Sequence, residues 1–215
     1  MGEFYPQART VIEIGGQDSK FLSVQWDEQN HKMVLADFAM NNLCAAGTGS
    51  FLDQQAERLG IAIVDEFADI HAVAESGAGG GALHRFAKSD MIHLQQKGTA
   101  LADILAGLCL AMTRNYRSVI GKGKPFTPPI LFQGGVAYNR AVVRAFETVL
   151  HLEPGQLIVP EHHELMAAMG TALLAMDEAA AGRLAAFAGF AGLRDYVANG
   201  RQPDRKSMPI LLWDI

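Results

Sequence analysis

The chain has 215 residues, of which 49% are hydrophobic and 19% charged, with a formal net charge of −5 and a pI near 5.8. This length allows one large domain or two small ones with a buried core, and the acidic balance argues against a dedicated nucleic-acid binder. Two cysteines cannot form the disulfide framework of a small secreted domain, and no signal peptide or bilayer-length apolar run is visible, so we expect a cytoplasmic protein without a membrane partner.

The first part of the chain predicts a strand, a hairpin and a helix, in that order. Residues 10–16, TVIEIGG, are rich in β-branched side chains and end in a glycine pair, which is typical of a buried strand running into a tight turn. The runs 19–27 and 32–40 flank a polar EQNH and predict a β-hairpin. From Ser50 the apolar residues follow helical spacing, and Gly60 is placed to end that helix.

The remainder predicts alternating helices and strands. A glycine-rich loop at 76–82 precedes a helix within 85–98, and residues 99–120 predict a long amphipathic helix. Its apolar stripe consists of Leu101, Ile104, Leu105, Leu108 and Met112. A strand at 129–135, a helix at 139–150, a short strand at 156–160 and a helix at 164–180 follow. This order implies parallel strands joined by right-handed crossovers. We assign no role to the tail, residues 181–215.

Three glycine clusters stand at predicted strand or helix ends. They comprise Gly15, Gly16, Gln17 and Asp18; Gly47, Thr48 and Gly49; and Gly134 and Gly135. Ligands of α/β proteins bind at the carboxyl ends of strands, and N–H groups at a helix N-terminus attract phosphate. If these glycine-rich loops converge, they leave room for a nucleotide against the backbone. Any one cluster alone would be explained as an ordinary turn. Neither GxxxxGKS/T nor GxGxxG is present, so a nucleotide site here has another architecture.

Two carboxylates, Glu13 and Asp18, bracket the first glycine pair. They could position Mg²⁺ through water, because magnesium prefers oxygen ligands and keeps much of its hydration shell. The alternative is a strand glutamate and a surface aspartate. A glutamate within an apolar strand favours the functional interpretation for Glu13. Lys20 could complement phosphate charge or be a solvated lysine.

Cys44 lies in a Gly/Ala-rich loop at an expected helix N-terminus, where the helix dipole favours the thiolate. A thiolate there could be a nucleophile, a redox group or a metal ligand. No CxxC accompanies it, so we do not expect a complete metal site within one chain. Cys109, between two leucines of a predicted helix, is expected to be an inert core residue. The stretch EHHELMAAMG lacks the second histidine of HExxH.

The sequence resembles the activator ATPases of 2-hydroxyacyl-CoA dehydratases and the related ATP-binding subunits of benzoyl-CoA reductase. The matching stretches, in the order of that family, are IEIGGQDSKF (12–21), NNLCAAGTGSFLDQQAERLGI (41–61), FAKSDMIHLQQKG (86–98), LFQGGVAYN (131–139) and HELMAAMGTALLA (163–175). The combination of GGQDSK with CAAGTG is specific to this family.

The resemblance implies a ribonuclease-H-like α/β fold of the actin, sugar kinase and chaperone ATPase superfamily, with a mixed sheet flanked by helices. The chain would hold one and a part of the two lobes. Residues 1–180 would be the C-terminal portion of an activase ATPase domain, with the N-terminal half of the same fold as a missing partner. The implied cofactor is ATP or ADP with Mg²⁺. The implied site residues are Glu13, Gln17 and Asp18 for catalysis, the GGQD turn for phosphate, Gly134, Gly135 and Val136 for adenosine, and Gly170 in a connecting helix.

The resemblance also implies a homodimer that holds one 4Fe–4S cluster between its subunits, with two cysteines from each. ATP hydrolysis would drive electron transfer to an acyl-CoA dehydratase or reductase component. Cys44 matches the first of the two cysteines and would be a metal ligand. Leu83 stands at the place of the second and cannot ligate iron. A dimer would then offer two thiolates where such a cluster usually takes four.

Three functional hypotheses follow. The first is the ATP-binding portion of an acyl-CoA dehydratase or reductase activase that couples nucleotide state to electron transfer. The second is a non-catalytic assembly or regulatory module without a cluster, which Leu83 favours. The third is a small-molecule kinase of the same superfamily. Its candidate acids, Asp53 and Asp90, are better explained as helix-end carboxylates.

Overall fold

A computed structural model of the chain describes residues 4–41, 47–61, 88–183 and 189–199. The chain divides into two compact units between Gly170 and Thr171, and the first unit holds a five-stranded sheet with its helices. The predicted loop at 76–82, Cys44 and Leu83 lie outside the described residues.

The sheet is mixed, as predicted, with strand order β3-β2-β1-β4-β5. Its strands are β1 (Thr10–Ile14), β2 (Ser19–Asp27), β3 (Lys32–Met40), β4 (Ile130–Gln133) and β5 (Leu157–Ile158). Strands β1, β2 and β3 form an antiparallel meander, whereas β4 pairs with β1, and β5 with β4, in parallel. The hairpin of residues 19–40 is confirmed with the predicted strand bounds.

Six helices accompany these strands in the part of the chain that the structure describes. They are α1 (Gly49–Leu59), α2 (Lys88–Gln96), α3 (Leu101–Val119), α4 (Arg140–Leu150), α5 (Met166–Ala180) and α6 (Gly189–Asn199), with a short 3₁₀ turn at Gly135–Tyr138. The predicted stop of α1 is confirmed, because Gly60 adopts φ +68° and its N–H bonds the carbonyls of Ala56 and Glu57. Helix α6 lies in the tail, for which no helix was predicted.

The main core lies on one face of the sheet. Ile12, Ile14 and Phe132 point to this face and pack with buried residues of α1, α3 and α4. On the other face Val11 and Leu131 belong to a smaller cluster with Ala8 and Val24. The period-two alternation along β1 and β4 therefore divides their side chains between two faces.

Helix α3 buries most of its predicted stripe, but its first residue, Leu101, is 45% exposed. The first residue of a helix has no preceding helical turn to cover its side chain, so the buried part of the stripe begins at Ile104. Cys109 is fully buried in this helix, and burial raises the pKa of its thiol to about 12. The prediction of an inert core cysteine is consistent with that environment.

The second unit contains the end of α5 and helix α6. At the C-terminal end of α5, Arg183 donates two hydrogen bonds of 2.8 Å to the carboxylate of Glu178. Both side chains are exposed, so the pair adds little stability. The predicted domain limit at residue 180 stays a prediction. No helix among the described residues combines the length and the apolar character needed to cross a bilayer.

Candidate functional site

The turn at residues 15–18 joins β1 to β2 and is held from two sides. The N–H of Gly15 donates to the carbonyl of Asp18 at 2.9 Å. The side chain of Asn41, just after β3, accepts from the N–H of Ser19 at 2.8 Å and donates to the carbonyl of Gln17 at 3.1 Å. Because its backbone is fixed in this way, the turn presents Gly16, Gln17 and Asp18 to solvent.

The beginning of helix α1 is bonded directly to this turn. The N–H groups of Gly49 and Ser50 donate to the carbonyls of Gly15 and Gly16, at 2.8 and 2.7 Å. Two of the four N–H groups that a helix N-terminus leaves unpaired are therefore used within the chain. We expected such groups to attract phosphate, but in this conformation these two hold the glycine turn against the helix.

Gly49 is the point at which the three glycine clusters meet. A Cβ atom built on it would lie 3.0 Å from Cγ2 of Val136, 3.1 Å from the carbonyl oxygen of Gly15 and 3.3 Å from Cα of Gly16. A side chain here would force its neighbours to move by a few tenths of an ångström, so glycine favours this close approach. Residues from three distant parts of the sequence thus line one place at the carboxyl ends of β1 and β4.

Gly134 brings the end of β4 against the end of β1. It has φ +94° and ψ 171°, a backbone region that is essentially restricted to glycine. A Cβ atom there would lie 2.8 Å from the carbonyl carbon of Ile14. The following residue, Gly135, is exposed, and a Cβ on it would meet no described atom within 4 Å.

His163 holds the Gly134 turn in place, a role that the sequence did not indicate. The backbone N–H of Gly134 donates to the carbonyl of His163 at 2.9 Å, and Nδ1 of the imidazole lies 3.0 Å from the carbonyl oxygen of Gly134. Nδ1 therefore carries the proton. The ring packs edge-on against Tyr138 with centroids 4.3 Å apart, and the side chain is only 7% exposed.

Glu13 has a partner within the sheet. Its carboxylate lies 3.2 Å from Nζ of Lys20, the residue opposite it on β2. Both side chains are partly exposed, at 22% and 27%, so the pair contributes little stability. The hydroxyl of Tyr116 donates to the carbonyl of Lys20 at 2.8 Å, and burial, together with the nearby charge of Glu13, raises the pKa of Tyr116. Lys20 thus balances the negative charge of Glu13 beside the glycine turns.

Two further predicted site residues, Gly170 and Cys44, stay predictions. Gly170 lies inside α5, and a Cβ on it would meet no described atom within 4 Å. Cys44 falls outside the described residues. Among the residues that are described, no group of three or more His, Cys, Asp or Glu side chains could hold a metal ion.

The arrangement as a whole is a surface built from backbone at the carboxyl ends of neighbouring parallel strands. Open turns with exposed Gly16 and Gly135 flank the close contact at Gly49. Such a surface leaves peptide groups accessible to a ligand without intervening side chains. The carboxylates of Glu13 and Asp18 add acceptors that suit the hydration shell of a magnesium ion.

Comparison with known proteins gives consistent results. The model of the BadF/BadG/BcrA/BcrD ATPase family matches residues 1–175. The chain is 34% identical over 175 residues to the 2-hydroxyisocaproyl-CoA dehydratase activator of Clostridioides difficile, a match that covers 81% of this chain and 62% of that protein. It is 33% identical over 179 residues to the (R)-2-hydroxyglutaryl-CoA dehydratase activating ATPase of Acidaminococcus fermentans, covering 82% and 64%.

Solved structures show the same likeness. The crystal structure of the Acidaminococcus fermentans (R)-2-hydroxyglutaryl-CoA dehydratase component A has a TM-score of 0.67 and 31% identity, over 83% of this chain and 65% of that one. The Clostridium difficile activator of the 2-hydroxyisocaproyl-CoA dehydratase with bound ADPNP has a TM-score of 0.67 and 31% identity, over 86% and 66%. The predicted α/β fold is confirmed, and the chain spans slightly less than two thirds of these relatives.

Proposed function

The chain belongs to the BadF/BadG/BcrA/BcrD ATPase family, and from that premise we propose that it binds ATP or ADP with Mg²⁺ where its three glycine turns meet. We propose further that it serves as the nucleotide-binding portion of an activator for an acyl-CoA dehydratase or reductase component. Glu13, Gln17 and Asp18 are the residues that we assign to the magnesium ion and the reacting phosphate.

The contact at Gly49 carries this proposal. A side chain there would collide with Val136 and with the backbone of Gly15 and Gly16. Glycine at this buried position lets the two turns and α1 approach one another, so the exposed Gly16 and Gly135 turns flank one place where a ligand can meet backbone. The similar Clostridium difficile activator structure has bound ADPNP, which supports a nucleotide as the ligand. The residues at the glycine turns therefore fit a bound nucleotide.

The role of each part follows from its chemistry. The GGQD turn and the Gly134 turn present peptide groups from both sides of the Gly49 contact, so they orient the nucleotide. Magnesium, when bound, neutralises phosphate charge, and Glu13 and Asp18 accept hydrogen bonds from its water ligands. Lys20 balances the charge of Glu13, with which it is paired at 3.2 Å. One wall of the nucleotide cleft in this superfamily comes from the other lobe, so we do not expect this chain alone to turn over ATP.

Calorimetric titration of the purified 215-residue chain tests the nucleotide proposal. We expect ADP with Mg²⁺ to bind weakly, since one side of the site is open to water, and we expect negligible phosphate release from ATP. Inorganic triphosphate serves as the matched ligand without a nucleoside, and it should bind more weakly than ATP. The absence of measurable heat with millimolar ADP would contradict the proposal.

The donor set does not fit an iron–sulfur cluster held by four cysteines. The chain has two cysteines, and Cys109 is fully buried with its pKa raised to about 12. Cys44 is then the single available thiolate of each chain, and a homodimer would supply two. A cluster of the 4Fe–4S type usually takes four, so we derive no electron-transfer step from this chain.

Leu83 favours the second candidate, a non-catalytic assembly or regulatory module that keeps the nucleotide site without the cluster. Anaerobic reconstitution with iron and sulfide distinguishes the candidates. We expect a colourless protein whose visible absorbance matches that of the Cys44→Ser variant treated in the same way. A brown product that disappears in Cys44→Ser would show that the chain does hold a cluster, and it would contradict the module.

A further inference from the structure

Gln133, the last residue of β4, is a buried polar side chain at the end of a strand that is otherwise apolar. The rest of β4 is Ile130, Leu131 and Phe132, all fully buried. Gln133 is only 6% exposed, and its Oε1 has no hydrogen-bond partner in the described part of the chain. A buried amide oxygen without a donor costs about 1–3 kcal/mol.

The pairing of the strands identifies the residues that lie beside Gln133 in the sheet. The strand register places Glu13 of β1 opposite both Gln133 of β4 and Lys20 of β2. Side chains of opposed residues share one face of a sheet. The row before it on the same face is apolar and consists of Leu22, Val11 and Leu131. A polar row therefore crosses three strands at the edge where the glycine turns begin.

The members of this row differ in one respect. Glu13 and Lys20 are paired at 3.2 Å and partly exposed. Oε1 of Gln133 has no partner among the described residues, although the next residue, Gly134, begins the turn that meets β1. Another buried amide near that turn, Asn139, has a structural reason to be there, because its Oδ1 caps α4 by accepting from Ala141 and Val142. No comparable structural bond accounts for the burial of Gln133 among the described residues.

We propose that Gln133 contacts the bound nucleotide directly and accepts a hydrogen bond from an O–H group at the polar row. Two sources present this chemistry, a hydroxyl of the nucleotide's sugar and a water molecule held by its magnesium ion. The inference rests on the proposed function, because the donor is supplied by the ligand of the glycine turns. It adds a specificity residue to the backbone surface already described.

The test uses the Gln133→Met variant, which keeps the length of the side chain and removes both polar atoms. In the free protein we expect an unchanged or higher Tm, because the cost of the unpaired amide is removed. In calorimetric titrations we expect the Kd for ADP with Mg²⁺ to rise about tenfold, the loss of one hydrogen bond. An unchanged or higher Tm together with a weaker affinity for ADP indicates that the side chain contacts the ligand, whereas a structural role would lower the Tm.

Thr113→Val is the matched control. Thr113 of α3 is fully buried, and its Oγ1 also lacks a partner among the described residues. This variant should likewise keep or raise the Tm, but it should leave the Kd for ADP unchanged. A Tm of Gln133→Met well below that of the original chain would show that the amide has a partner within the protein, and the inference would be overturned.

Two further titrations identify the donor. If the tenfold loss in Gln133→Met disappears when Mg²⁺ is removed with EDTA, the donor is metal-bound water. If the loss persists, and the original chain binds 2′-deoxy- or 3′-deoxy-ADP as weakly as Gln133→Met binds ADP, the donor is a sugar hydroxyl. Normal ADP binding by Gln133→Met would overturn this inference alone, whereas no ADP binding by the original chain would overturn the proposed function.

Discussion

Replacing Gly134 with alanine is expected to lower the free energy of unfolding by about 3 kcal/mol or more and to abolish nucleotide binding. Two effects add at this position. The backbone at φ +94° and ψ 171° strains any residue with a side chain, and the new methyl group would lie 2.8 Å from the carbonyl carbon of Ile14. Relief requires β4 and β1 to separate at their ends.

Chemical denaturation measures the first effect and calorimetry the second. The control is Gly170→Ala, because Gly170 lies inside α5 with open space around its Cα. Alanine is favoured over glycine in a helix by roughly 1 kcal/mol, so this variant should be as stable as the original chain or more so. A Gly134→Ala protein of undiminished stability would show that the ends of β1 and β4 tolerate a wider spacing.

The second large effect is expected for Gly49→Ala, chiefly on binding. Its methyl group would press on Val136 and on the backbone of Gly15 and Gly16, at 3.0 to 3.3 Å. These neighbours must move by a few tenths of an ångström, which costs roughly 1–3 kcal/mol. Because the movement opens the contact between the glycine turns, we expect the Kd for ADP to rise at least tenfold, a change that calorimetry can detect.

Gly47→Ala is the stability control for this variant. A Cβ on Gly47 would lie 3.8 Å from Nδ2 of Asn115 and 3.9 Å from Cδ1 of Ile120, ordinary contact distances. Its free energy of unfolding should therefore match that of the original chain. If Gly49→Ala bound ADP normally, the approach of Val136 to Gly15 would be irrelevant to the ligand, and the site would have to lie elsewhere on the sheet.

Sequence reasoning was most successful where the determinants are local. The β-branched run TVIEI with its glycine pair, the polar EQNH between two apolar runs and the glycine at position 60 each define an element over a few residues. Helix α6 was missed because its Ala- and Gly-rich sequence, GFAGLRDYVAN, has a weak helical pattern. Each glycine disfavours a helix by about 1 kcal/mol relative to alanine. The other residues of this segment show no apolar spacing strong enough to indicate a helix in spite of its two glycines.

The site was predictable in its main parts and not in its supports. Glycines at strand ends indicated where a ligand would lie, and the structure brings three of the clusters together at Gly49. The residues that hold those turns, Asn41 and His163, act across 24 and 29 residues of sequence. A single sequence carries no sign of such distant bonds. Gln133, by contrast, could have been noticed as the one amide in an apolar strand.

Ser19 bonds both of the described residues that flank positions 42–46, Asn41 and Gly47. Its N–H bonds the side chain of Asn41, and its hydroxyl donates to the carbonyl of Gly47. The chain therefore enters and leaves residues 42–46 at anchors that both belong to a single serine, which itself directly follows the GGQD turn. A ligand that displaces this turn by a fraction of an ångström must shift both anchors together. Asn41 and Gly47 are in this sense mechanically coupled to the GGQD turn.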